Sequence, residues 1–114
     1  MNLDKIIREL DLKLLTDPQD YSQIVPSGGY ASDLLSCVMA GAPHQGIWIT
    51  LQSHANIVAV AALLELSAVI ITESAMPEPA VIEKANREHV TLLSTSATTY
   101  TIVGKLWAAG LAAK

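Results

Sequence analysis

The feature that most restricts this chain is the stretch from Gly46 onward, where short aliphatic segments alternate with segments of helical length. Ile47 to Leu51, Ala68 to Thr72 and Thr91 to Ser94 are strand-like, each four or five residues rich in Ile, Val, Leu and Thr. The segment AVIIT is apolar at successive positions rather than at every second one, the pattern of a strand covered on both faces. Between and after these lie an apolar helix from Asn56 to Leu66, a helix opening at Pro79 with Val81, Ile82 and Ala85 inward, and a last helix from about Ala97 to Ala112. Thr95 or Ser96 is placed to cap that last helix, and Glu83 and Arg87 are spaced to pair on the outer face of the one before it. Strands joined by helices pair in parallel, because a parallel pair needs a long crossover. The expected fold class is therefore α/β, a small parallel-sheet βαβαβα core. At 114 residues it makes a single domain over 1–114.

The N-terminal part adds a helix and short edge strands. Leu3, Ile6, Ile7 and Leu10 fall on one face of a helical period, with Asn2 as its cap and Asp4 placed to pair with Arg8. Leu12 to Leu15 and Gln23 to Pro26 read as weak strands, the second ended by its proline. SGGYASD then leads to a helix capped by Ser32 or Asp33, with Leu34, Leu35, Val38 and Met39 as its apolar stripe.

Charge and cysteine usage exclude several classes. Seven Lys and Arg against 11 Asp and Glu give a net charge of −4, which speaks against nucleic acid and anionic membrane as partners. The longest apolar run, Ile57 to Leu64, is eight residues, far short of the roughly 20 that span a bilayer. MNLDKIIREL lacks the apolar core of a secretory signal. Cys37 is the one cysteine and reads as a buried structural thiol, consistent with a cytoplasmic location. His44, His54 and His89 share no ligand spacing, so no metal and no cofactor is expected.

Chemistry, where present, belongs at the carboxyl ends of the strands, where open parallel sheets bind ligands. The first central strand runs into Thr50, Gln52, Ser53, His54 and Asn56, the second into Thr72, Glu73 and Ser74, the third into Ser94, Thr95, Ser96 and Thr98. These neutral hydrogen-bonding groups stand next to helix N-termini, which favour anions. The plainer reading is that they cap the following helices. Gly28 and Gly29 before a helix offer an anion cradle, or else a tight turn; no P-loop lysine follows them. A Ser–His–acid set can be drawn from Ser32, His54 and Glu73, but no nucleophile elbow accompanies it, so no catalytic residue is assigned.

The blocks SGGYASDLLSCVMAGA, GIWITLQSHANIVAVA, AVIITES and LLSTSATTY resemble the DRTGG domain family over most of the chain. The resemblance is specific at Gly28, Gly29, Tyr30, Ser32, Asp33, Leu34, Leu35 and Met39, and again at Trp48, Thr50, Gln52, His54 and Asn56. The family's Asp-Arg-Thr-Gly-Gly signature reads Val25-Pro26-Ser27-Gly28-Gly29 here, with the glycines kept, a hydroxyl at Ser27, and both charged residues gone. The resemblance implies a fold like the N-terminal domain of HPr kinase/phosphorylase. It also implies a non-catalytic module of the kind found beside CBS domains in regulated pyrophosphatases.

The expected function is a non-catalytic regulatory domain that binds a small, phosphate-bearing or nucleotide ligand, a protein partner, or both. Its expected ligand residues are Ser27, Gly28, Gly29, Ser32, Thr50, Gln52, His54, Asn56, Thr72 and Thr95. The alternative is a pure oligomerisation module without a small-molecule site; a small hydrolase or transferase ranks last. A homodimer is expected on charge supply. Between Leu34 and Thr72 only Glu65 is charged, and the last helix offers only Lys105, so the two apolar helices lack the charged stripe of a solvent-facing helix. Trp107 or Tyr100 is the expected anchor.

Overall fold

The computed structural model describes residues 1–113. In chain order its elements are α1 (Leu3–Glu9), β1 (Lys13–Leu14), β2 (Gly29–Ala31), α2 (Leu35–Gly41), β3 (Ile47–Thr50), α3 (Asn56–Leu63), β4 (Ala68–Ile71), α4 (Pro79–Arg87), β5 (Leu92–Ser94) and α5 (Thr99–Ala108). The sheet has five strands in the order β1-β5-β4-β3-β2. β2, β3, β4 and β5 run parallel, and β1 closes one side antiparallel to β5. This is the expected α/β core with its edge strands.

Successive side chains of the central strands point to opposite layers. Trp48, Val69, Ile71 and Leu92 pack with Val38 of α2, Ile57, Val58 and Ala61 of α3, and Val81 and Ala85 of α4. Ile47, Ile49, Ala68, Ile70 and Leu93 pack with Leu3 and Ile6 of α1 and Ile102 and Leu106 of α5. Both layers are filled, which is why β3 and β4 are buried at every position, and why β4 reads as an unbroken aliphatic run and β3 as Ile-Trp-Ile before Thr50.

The first helix is built as its sequence requires. The Asn2 side chain accepts from the Lys5 amide at 2.8 Å, and Arg8 pairs with Asp4 at 3.0 Å. Pro79 occupies the first turn of α4, where its missing N–H costs nothing. α1, α3, α4 and α5 end alike: the residue after the cap is left-handed, and the next amide reaches back to a carbonyl five residues earlier. These bonds are Leu12 to Ile7 at 3.0 Å, Leu66 to Ala61 at 3.0 Å, Val90 to Ala85 at 2.8 Å and Leu111 to Leu106 at 2.9 Å. Only the last of these turns uses glycine, Gly110; the others place Asp11, Glu65 and His89 at φ of 52°, 52° and 58°.

Several expectations are corrected. Gln23 to Pro26 is not a strand; the strand lies at Gly29–Ala31, beside β3. α2 starts at Leu35 with no side-chain cap, because the Asp33 carboxylate is drawn across to β3 instead. Of its expected stripe Val38 is buried and Leu35 partly so, while Leu34 and Met39 face outward. Cys37 is likewise exposed, since this one-sided helix turns only Val38 fully inward. α3 stops at Leu63, three residues early, where its left-handed turn intervenes. Glu83 and Arg87 form no ion pair. α5 begins at Thr99, with Thr98 as its cap, because Thr95 to Ala97 are spent continuing the edge of β5.

Candidate functional site

The carboxyl ends of β2 to β5 form one edge of the sheet, and most of the expected polar residues gather there. Ser32 and Asp33 follow β2, Thr50 ends β3 and Gln52 to His54 follow it, Thr72 to Ser74 follow β4, and Thr95 follows β5. A hydrogen-bonded network ties these loops together. Asp33 Oδ1 accepts from Thr50 Oγ1 at 2.7 Å and from the Leu51 amide at 2.9 Å. Gln52 Nε2 donates to the Asp33 carbonyl at 2.9 Å, and Trp48 Nε1 donates to the Ser32 carbonyl at 2.8 Å. Thr72 Oγ1 is hydrogen-bonded to Thr99 Oγ1 at 2.6 Å and donates to the Thr50 carbonyl at 3.3 Å. Thr50 and Thr72 are fully buried, so their hydroxyls build the edge from beneath rather than face a ligand.

The remaining expected residues divide. Gln52 and His54 line an open groove, with His54 Nδ1 accepting from the Asn56 amide at 3.2 Å. Thr95 lines a second groove, and its Oγ1 accepts from the Ala97 amide. Ser32 Oγ accepts from the Leu34 amide at 3.1 Å, a local turn contact. Ser27, Gly28 and Gly29 lie elsewhere, at the amino end of β2 and β3. Ser27 Oγ donates to the His44 carbonyl, the Gly28 carbonyl accepts from Ile47, and the Gly29 amide donates to Ala112 at 2.8 Å. Neither glycine is left-handed, and Gly29 stands inside β2, so the expected cradle is not there. The glycine that the backbone does require is Gly46. A Cβ there would come within 2.9 Å of the Pro43 carbonyl and 3.0 Å of the Gly28 carbonyl.

Two grooves flank the end of β4. The first, of about 800 Å³, lies between the β3–α3 loop and α4, and its polar lining is Gln52, Ser53, His54, Glu78, Lys84 and Arg87. The second, of about 490 Å³, lies between α1, β5 and α5 and is lined by Lys13, Lys105, Ser74, Thr95 and Ser96, with Asp11 on its wall. Met76 lines both, so the two are neighbours on either side of that side chain. Among the described residues the Lys and Arg side chains sort by place. Lys5 and Arg8 pair with Glu9 and Asp4. Lys13, Lys84, Arg87 and Lys105 have no acidic partner, and all four line these grooves.

The backbone between the grooves is strained. Glu73 and Ser74 are left-handed in succession, at φ of 62° and 60°, and the Ala75 amide closes the turn onto the Thr72 carbonyl at 3.1 Å. Such a turn normally carries Asn or Gly. Here it is held by the Glu73 and Ser74 amides donating to Ala97 and Thr95, and by Glu73 Oε2 accepting from the Thr99 amide at 2.9 Å. Ser32, His54 and Glu73 each bond to a nearby backbone amide and not to one another. Among the described residues no group of His, Cys, Asp and Glu is placed to hold a metal ion, and no helix is long and apolar enough to cross a membrane.

The residue-level reading missed the four cations. Lys84 and Arg87 carry the helical spacing of one face, a signal that was present. Lys13 and Lys105 join them only through the pairing of β1 with β5 and the packing of α5.

A family model described as the DRTGG domain matches residues 37–109. No curated protein sequence matches the chain. Among solved structures it is similar to the CBS and DRTGG domains of the regulatory region of Clostridium perfringens pyrophosphatase, complexed with its activator diadenosine tetraphosphate. The TM-score is 0.74 at 20% identity, over 90% of this chain and 44% of that one. The chain thus spans less than half the length of that neighbour.

Proposed function

Because the chain belongs to the DRTGG domain family, we propose that it is a non-catalytic regulatory domain that binds a phosphate-bearing ligand, most simply a nucleotide, across the carboxyl edge of its sheet. The observation that carries this reading is the placement of Lys13, Lys84, Arg87 and Lys105. An acidic chain has few cations to spare, and those without an acidic partner border two neighbouring grooves that share Met76. Unpaired cations beside a groove raise the local concentration of anions and attract phosphate. Gln52, Ser53 and His54 supply hydrogen bonds in the first groove, and Ser74, Thr95 and Ser96 in the second. The nucleotide activator named for the structural neighbour supports the same ligand class. The reading places the domain in the cytoplasm, as a homodimer, and keeps its kinship with the N-terminal domain of HPr kinase/phosphorylase.

Thermal shift and calorimetry with AMP, ATP, diadenosine tetraphosphate and inorganic phosphate test this. A ligand present at 100 times its Kd stabilises by about 2.7 kcal/mol. The expected result is a shift with at least one nucleotide that Lys84→Ala with Arg87→Ala abolishes, and that falls steeply with salt. No shift with any of these compounds refutes the ligand and leaves the second reading, an assembly module without a small-molecule site. That second reading has its own support in the exposed apolar face of α5.

A further inference from the structure

We infer that α5 and the neighbouring edge of the sheet form a self-complementary interface for a second copy of this chain. The inference rests on the homodimer of the preceding reading and is independent of the ligand. Ile102 and Leu106 hold α5 against the sheet and are buried. Its outer side presents Tyr100 at 90% exposure, Val103 at 36% and Trp107 at 66%. These positions are spaced i, i+3 and i+7, so they form one stripe. Isolated exposed hydrophobic residues are ordinary, but a contiguous stripe with two aromatic rings marks an interaction surface.

A receiving groove lies beside the stripe. It has a volume of about 150 Å³ and is lined by Tyr30, Ile49, Val103, Leu106, Trp107 and Leu111, with no charged side chain among its walls. An apolar space of about this size accommodates benzene, so it has room for an aromatic ring. Knob and groove on the same patch are what a two-fold contact requires, since each copy gives the other what it receives.

Charge permits a like copy at this face. The chain carries a net charge of −4, so two copies approach best through a face without formal charge. α5 has one charge, Lys105, and that side chain lines the other groove, away from this patch. The two aromatic rings supply about half of the area that a stable pair needs. Buried aromatic residues remove 150–250 Å² each, so at these exposures Tyr100 and Trp107 bring about 300 Å² per protomer, or about 600 Å² per pair. Val103, Tyr30 and Leu111 extend this toward the roughly 1,200 Å² at which stable interfaces begin.

Gly104 gives an independent indication. It sits in the interior of α5, within the stripe, and a Cβ added there would meet nothing within 4 Å. Glycine is among the least favourable residues for a helix interior, and the fold of one protomer gives no reason for it. A second helix crossing closely at this point supplies the reason, since the distance between packed helices is set by the side chains at their contact.

Sedimentation velocity of the wild-type chain from 1 to 100 μM, beside Gly104→Leu, Trp107→Glu and Leu63→Glu, tests the interface. The expected result is a wild-type dimer, with Gly104→Leu and Trp107→Glu each weakening it by about 100-fold or more. Leu63→Glu, on the exposed side of α3, is expected to remain dimeric. Gly104→Leu also separates interface from folding, because as a monomer its Tm should equal or exceed that of the wild-type chain at dilutions where both are monomeric. A wild-type dimer that survives both α5 substitutions overturns this interface while leaving the homodimer standing. A wild-type monomer at 100 μM overturns both.

Discussion

Replacing Glu65 by glycine should stabilise the protein, although it removes a side chain and adds no contact. Glu65 follows the cap of α3 at φ 52°, and the Leu66 amide behind it reaches the Ala61 carbonyl at 3.0 Å. The left-handed conformation places Cβ against the following carbonyl, at a cost of about 1–2 kcal/mol for a non-glycine residue. Glycine removes that cost but loses more chain entropy on folding, about 0.5–1 kcal/mol. The balance is a gain of about 0.5–1 kcal/mol. In a domain of this size that is roughly 2–5 °C in Tm. The Glu65 side chain is exposed and makes no ion pair or hydrogen bond among the described residues, so nothing is set against the gain. Urea unfolding followed by far-UV circular dichroism measures it as a rise in midpoint at constant slope. Glu65→Ala is the control: it deletes the same carboxylate yet keeps Cβ, and should move the midpoint little. If alanine stabilises as much as glycine, the backbone argument is wrong and the lost charge is the cause. If glycine destabilises, the turn is not strained in solution.

Other outcomes follow from the same structure. Ile70→Ala, in the middle of β4 at 0% exposure, should cost about 2–5 kcal/mol by equilibrium unfolding. Gly46→Ala, with two backbone carbonyls at 2.9 and 3.0 Å from the new Cβ, should cost about 1–3 kcal/mol and speed amide exchange at Ile47. Asp33→Ala, which strips the acceptor from Thr50 Oγ1 and the Leu51 amide, should cost about 1–3 kcal/mol and raise hydrogen exchange at Leu51. The Asp20 carboxyl titrates below its usual value because the Ser22 hydroxyl and amide donate to it. Its stabilising contribution is therefore complete above the unfolded-state pKa and fades as pH falls through the lower folded value; Ser22→Ala, which removes the hydroxyl donor but keeps the amide, should reduce the lowering in an NMR titration of Asp20 without abolishing it.

The parts of the fold legible in the sequence are those whose burial is uniform. β3 and β4 lie between two filled layers, so all their residues are apolar except Thr50, whose buried hydroxyl is spent on Asp33, and the runs cannot be mistaken for surface strands. β2 is different. It has three residues, Gly29, Tyr30 and Ala31, half-buried or exposed, and it is a strand because β3 is there to pair with it. No local preference carries that information. The same holds for α2, where Asp33 has the identity of a helix cap and spends its carboxylate on Thr50 instead. Gln52 and His54 were findable at the sheet edge because strand ends follow from strand positions. The cations were not, since Lys13 and Lys105 belong to elements that meet only in the folded chain.

The two tryptophans occupy opposite environments, and this makes the protein its own optical instrument. Trp48 is at 0% exposure with its indole N–H on the Ser32 carbonyl, whereas Trp107 is at 66% exposure on the outer side of α5. There is no phenylalanine and there are three tyrosines, so excitation at the red edge of the absorption band selects these two indoles alone. Iodide or acrylamide should extinguish the long-wavelength half of the emission and leave the short-wavelength half intact. The quenchable half then reports whatever covers α5, and the protected half reports the integrity of the crossover from β2 to β3. One spectrum, taken with and without quencher, reads association and core packing separately, with no label attached.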